Sequence, residues 1–204
     1  MRASRTLALG ALLVPLAAGC STFSDPSPST GVDELVVPTP SPDPADFVAE
    51  VDNPWFVLDE ATYADADGAA VEREVEAGPS VLGVATTAVT LDGATDLYAQ
   101  DAAGNVWWFG HEDAGTTGWE AGVDGAEAGL VMAAKPRRGD GYRLAEVPGE
   151  DLRAEVVEVD DATVLVEVVI DGTTTVQRYT RGAGLDTVET GTGDVLLARQ
   201  EEGE

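Results

Sequence analysis

The chain has 204 residues, with 38 acids against 11 lysines and arginines, and a formal net charge of −27 at neutral pH. Binding phosphate backbones requires clustered cations, so this balance excludes nucleic acid as a partner and argues against electrostatic adhesion to anionic lipid headgroups. A single cysteine and a single histidine exclude an internal disulfide and a zinc site built from His and Cys.

Residues 1–19 read as an export signal: Arg2 and Arg5, an apolar run from Leu7 to Ala18, then Gly19 before Cys20. The run is about a dozen residues, short of the ~20 that cross a bilayer. Ala17-Ala18-Gly19-Cys20 looks like a bacterial lipobox, in which Cys20 is lipidated and becomes the first mature residue. Proteins of that kind carry a diacylglyceryl thioether, and more than one chain is what stable anchoring takes. The expected location is therefore the extracytoplasmic face of the cell membrane, held by Cys20. Residues 20–46 form a linker that contains Pro26, Pro28, Pro38, Pro40, Pro42 and Pro44 among Ser and Thr, a composition that favours extended polyproline II.

Residues 47–204 remain for one globular domain, and they read as β throughout. Val71, Arg73 and Val75 alternate with Glu72, Glu74 and Glu76, and Val164, Val166, Val168 and Ile170 share one face. Turn pairs recur at Asp67-Gly68, Asp92-Gly93, Gly104-Asn105, Asp171-Gly172 and Gly193-Asp194. The spacing predicts about ten strands, near 60–66, 70–77, 81–91, 94–101, 105–111, 141–147, 151–159, 163–170, 174–181 and 184–190, with another at 194–199. Many short strands at this spacing point to an all-β fold, an antiparallel sandwich or open barrel. Gly78-Pro79-Ser80 reads as a turn. Residues 112–140, glycine-rich and without alternation, read as a long loop pinned by Leu130-Val131-Met132.

Catalytic readings are limited by what the domain lacks. It holds Ser80 and His111 but no nucleophile-elbow pattern and no phosphate-binding glycine loop. Surplus carboxylates leave room for a glycan hydrolase, although no spacing singles out two acids. Asp65 and Asp67 resemble the start of a calcium loop but lack the distal glutamate. His111-Glu112-Asp113 reads better as a solvated loop end, with the imidazole pKa raised by its acidic neighbours, than as a metal site. No metal, cofactor or catalytic residue is expected.

Along 105–110, Val106 and Trp108 share one face while Trp107 and Phe109 share the other. Trp108 is the expected core residue. Trp107 is expected beneath the 112–134 loop or facing a ligand, with a clearly smaller stability loss on truncation. Trp107, Trp119, His111 and Tyr98 are the candidate ligand-binding residues. Lys135, Arg137, Arg138 and Arg143 form a local basic cluster; pairing with the domain's own acids is preferred over anion binding.

Several runs together carry a family resemblance: Asn53-Pro54-Trp55-Phe56, Tyr98-Ala-Gln-Asp101 through Gly104-Asn-Val-Trp-Trp-Phe-Gly110, and Trp119-Glu-Ala-Gly-Val-Asp-Gly-Ala126, with Gly129–Met132, Gly139–Arg143, Pro148–Asp151, Tyr179 and Gly182–Leu185. As a set they resemble a group of uncharacterised secreted or lipid-anchored bacterial β-domain proteins, mainly actinobacterial. The resemblance implies an extracytoplasmic β-domain with no established activity. Similar proteins continue the last motif with an apolar strand where this chain has Asp186, so packing there is expected to differ.

The leading expectation is a monomeric, membrane-tethered, non-catalytic domain that binds a hydrophobic or envelope-derived ligand or an envelope protein. A carboxylate-based glycan hydrolase and a purely structural envelope protein are the alternatives.

Overall fold

A computed structural model describes residues 43–114 and 116–200; Cys20 and the greater part of the linker lie outside them. The fold is all-β and antiparallel. After a 3-10 turn at Pro44–Asp46, the strands are β1 (Phe47–Val48), β2 (Ala61–Asp65), β3 (Ala70–Val81), β4 (Val84–Leu91), β5 (Ala94–Asp101), β6 (Val106–Asp113), β7 (Thr116–Glu120) and β8 (Glu127–Met132). They continue as β9 (Gly141–Arg143), β10 (Ala145–Glu146), β11 (Leu152–Val159), β12 (Thr163–Ile170), β13 (Thr173–Thr180), β14 (Gly184–Thr190) and β15 (Val195–Arg199).

From β2 onward the sheet follows chain order, and β15 pairs back onto β2. This is a nearly closed up-and-down barrel, an arrangement that leaves few exposed edges. The seam is a strand that changes partners: Gly141–Arg143 pairs with β11, and past Leu144 the residues Ala145 and Glu146 pair with β8. Gly129 makes that crossing possible. A Cβ there would stand 2.3 Å from the Arg143 carbonyl oxygen and 2.5 Å from that of Leu144.

The tight turns form where sequence places them, because their residues satisfy the turn backbone. Asp65 accepts from the amides of Asp67 and Ala69 with Oδ1. Asp92-Gly93 and Asp171-Gly172 both take positive φ. On β3, Glu72, Glu74 and Glu76 face solvent, while Arg73 is buried, paired with Asp59 and lying over the Tyr63 ring. Val164, Val166 and Val168 are core, but Ile170 runs out to 44 % exposure at the barrel rim.

Several expectations are corrected. Gly78-Pro79 is not a turn but a bulge inside β3, with Thr86 donating to the Pro79 carbonyl; the turn is Leu82-Gly83, both at positive φ. The stretch 112–140 is not one long loop. β7 and β8 both pair with β6, so they act as one strand interrupted by a compact excursion at 121–126, where Gly122, Asp124 and Gly125 take positive φ. Its glycines sit where backbones touch: a Cβ on Gly118 would lie 2.2 Å from the His111 carbonyl oxygen. The strand expected at 141–147 is divided at Leu144 by the seam. Asp186 lies inside β14 as an extra, unpaired residue, since Leu185 faces Tyr179 and Thr187 faces Arg178. A bulge thus places a polar side chain where an apolar one would fit an unbroken strand.

One end of the barrel is plugged by the Asn53-Pro54-Trp55-Phe56 segment. Asn53, 2 % exposed, donates to the carbonyls of Gly104 (2.9 Å) and Ala133 (3.3 Å), and its Oδ1 accepts from the Trp55 amide (2.9 Å). Gln100 Oε1 takes the amides of Asp52 and Asn53. Arg181 covers the Trp55 ring at 4.3 Å. The Phe56 ring enters the interior between Tyr98 and Tyr179, with centroids at 5.0 and 5.7 Å.

Candidate functional site

The interior is not completely filled. Above Phe56 lies a cavity of about 150 Å³ lined by Tyr98 and Trp108, by Val166 and Val168 across the barrel, and by Gln177 and Tyr179. Asp96, His111 and Ile170 ring its open end. Strands bring these groups together by register: Tyr98 pairs with Trp108, Asp96 with His111, and His111 with Trp119.

Asp96 organises the mouth. Its Oδ1 accepts from the Trp108 indole Nε1 at 3.0 Å and lies 2.7 Å from His111 Nδ1. His111 Nε2 is 3.3 Å from Asp113 Oδ1. The bond to Asp96 holds the His111 pKa above its ordinary value against partial burial, and the charges of Asp96 and Asp113 act in the same direction. Trp108 meets both His111 (5.7 Å) and Trp119 (4.9 Å) edge to face. Burial and then the Asp96 charge hold the Tyr98 hydroxyl protonated far above its usual range; Tyr179, which donates to Gln177 at 2.6 Å, is raised mainly by burial.

A general base needs a free imidazole nitrogen within reach of the proton it takes. Both nitrogens of His111 face carboxylates, which favour the charged form of the ring and brace it at the mouth.

Tyr98, His111 and Trp119 therefore stand in one cluster. Trp107 does not belong to it. It is 5 % exposed on the other face of β6, under Phe47, and its Nε1 donates to Asp101 Oδ2 at 3.0 Å. The expectation of a ligand-facing Trp107 is corrected: Phe47, from a strand the sequence reading missed, covers that face with contacts to both Trp107 and Phe109. Asp101 also accepts from Asn105 and Ala103, so the Asp101–Trp107 run builds a turn, not a site. Phe56, Asp96, Trp108, Gln177 and Tyr179 are the additions the structure makes. Of these, Trp108 stood out by alternation as a core residue, and Asp96 shares a strand face with Tyr98 at spacing two.

The basic cluster divides. Arg143 pairs with Glu146, as expected. Lys135, Arg137 and Arg138 are exposed and take part in no ion pair among the described residues, contrary to the expected internal pairing. Their loop is held from below by buried Asp140, which accepts from the Arg137 amide at 2.8 Å. A larger groove of about 720 Å³ follows the seam, but its arginines are already matched, Arg143 with Glu146 and Arg153 with Asp151.

Among the described residues no three His, Cys, Asp or Glu side chains are placed to hold a metal ion, and no helix is long and apolar enough to cross a membrane. No family model, curated protein or solved structure matches the chain.

Proposed function

We propose that this protein is a lipid-anchored extracytoplasmic binding domain, tethered through Cys20, whose ligand enters the barrel from its open end. The cavity carries this reading. It is enclosed by Phe56, Tyr98, Trp108 and Tyr179, with a few convergent polar groups at one side, the composition of small-molecule sites in barrel mouths. At about 150 Å³ it suits one ring or one branched alkyl group, comparable to cavities that take benzene. The chain enters the domain at the plugged end, where Phe47 pairs with Asp101 and Asn53 bonds Gly104, whereas Asp96, His111 and Ile170 lie at the opposite end.

The binding test is a titration of the protein with toluene, followed by two-dimensional NMR of the indole N–H groups. The Trp108 signal is expected to shift saturably while that of Trp107 stays in place, and Ile170→Trp, which adds bulk at the rim, is expected to block the shift. Equal movement of both indoles, or none, overturns the reading. The anchor is tested separately by fractionation: Cys20→Ser is expected to leave the pellet, and a variant that stays there through a high-salt wash overturns the tether.

A further inference from the structure

We propose that the cavity is selective for a small organic cation, an alkylated ammonium group, over neutral bodies of the same shape. This rests on the binding reading above and adds to it the charge of the ligand.

Three observations converge. Four aromatic rings, those of Phe56, Tyr98, Trp108 and Tyr179, line the cavity beside aliphatic side chains, and the faces of Trp and Tyr attract cations most strongly where water is excluded. The mouth is acidic on balance: Asp96 and Asp113 flank His111, so even with the imidazole protonated one negative charge is left over. No lysine or arginine lines the cavity. Arg73, whose charge reaches the lining residues Tyr98 and Tyr179, has its guanidinium paired to Asp59 and hydrogen-bonded to the Asp59 carbonyl.

The wider field acts in the same direction. A chain of net charge −27 concentrates cations at a narrow acidic mouth and repels anions. The small volume limits the recognised part to the ammonium head and its methyl groups.

The test compares choline with 3,3-dimethylbutan-1-ol, which has the same shape without the charge. Both are titrated into the full chain carrying Cys20→Ser, at fixed ionic strength, with the Trp108 indole signal as readout. Choline is expected to bind at least tenfold more tightly than the alcohol. Asp96→Asn, checked by circular dichroism to be folded, is expected to bring the two within about threefold. If the alcohol binds as tightly as choline in the wild-type chain, the charge selectivity is overturned and the binding reading stands. If toluene binds and choline does not, the inference fails alone. If none of the three binds, both fail.

Discussion

Asn53 is the side chain on which the plugged end of the barrel depends, and its replacement by Ala tests that directly. The substitution removes four hydrogen bonds, those to the Gly104 and Ala133 carbonyls and those from the Trp55 and Phe56 amides. Each is worth about 1 kcal/mol net, and buried partners left without a bond add to the loss. The expected destabilisation is about 3–5 kcal/mol, a large fraction of the ~5–15 kcal/mol that holds a domain of this kind folded. The assay is urea unfolding followed by tryptophan fluorescence, with the slope unchanged between variants.

Asn53→Asp sharpens the test. It keeps the acceptor for the Trp55 amide but turns the two donated bonds into a carboxylate facing two carbonyl oxygens. At neutral pH it is expected to be no more stable than Asn53→Ala. Repulsion raises the folded-state pKa of the new acid, so stability is lost as pH rises through the unfolded value and recovered as pH falls below it. A loss under 1 kcal/mol for Asn53→Ala, or an Asp variant clearly more stable than the Ala variant at pH 7, would refute the assignment of Asn53 as the plug's staple.

Trp107→Ala and Trp108→Ala are each expected to lose about 3–5 kcal/mol in denaturant melts, since both rings are buried; a Trp107 loss below about 1 kcal/mol would contradict its place under Phe47. Gly129→Ala drives a methyl group into the backbone of Arg143 and Leu144, so a loss of at least 1–3 kcal/mol is expected, with faster amide exchange across 141–146. An Ala variant as stable as the parent would mean that the seam does not need close approach there. His111 is expected to titrate by NMR above its ordinary value of about 6.5 and to drop in Asp96→Asn. Its bonds to Asp96 and Asp113 therefore support the fold fully below pH 6.5 and lose that contribution as pH rises through the folded-state pKa; a midpoint at or below 6.5 in the parent protein would show that Asp96 does not hold the charge.

Local chemistry made the hairpins readable and tertiary contact hid the rest. Asp65 and Asp101 bond amides two and four residues on, so their turns are written within five residues of sequence. The glycines of 112–140 had the opposite effect. Gly118 and Gly129 look like loop residues, yet each lies in a strand because another backbone passes within touching distance of its α-carbon. Nothing within a few residues of either announces that neighbour. Phe47 escaped notice for a similar reason: a two-residue strand has no periodicity, and its value lies in the two aromatic rings it covers.

The candidate site shows the limit most clearly, because it depends on one extra residue. Tyr98 pairs with Trp108, and an unbroken antiparallel register would then set Asp96 opposite Gly110. The irregularity between Leu97 and Tyr98 inserts Phe109 and moves the partner of Asp96 to His111. That single shift brings the carboxylate to the imidazole and leaves Oδ1 within reach of the Trp108 indole as well. Alternation placed Asp96 and Tyr98 on one face, and His111 stood out as the only histidine, but joining them required a bulge that no local pattern marks. Closing the cavity then needed Gln177 and Tyr179 from the far half of the chain and Phe56 from the plug. A deletion of Phe109, the unpaired residue, should therefore leave Leu97 opposite Gly110 and Asp96 opposite His111 in an unbroken ladder, so the His111 pKa is expected to stay above 6.5, and a return to 6.5 in a folded deletion variant would refute this register.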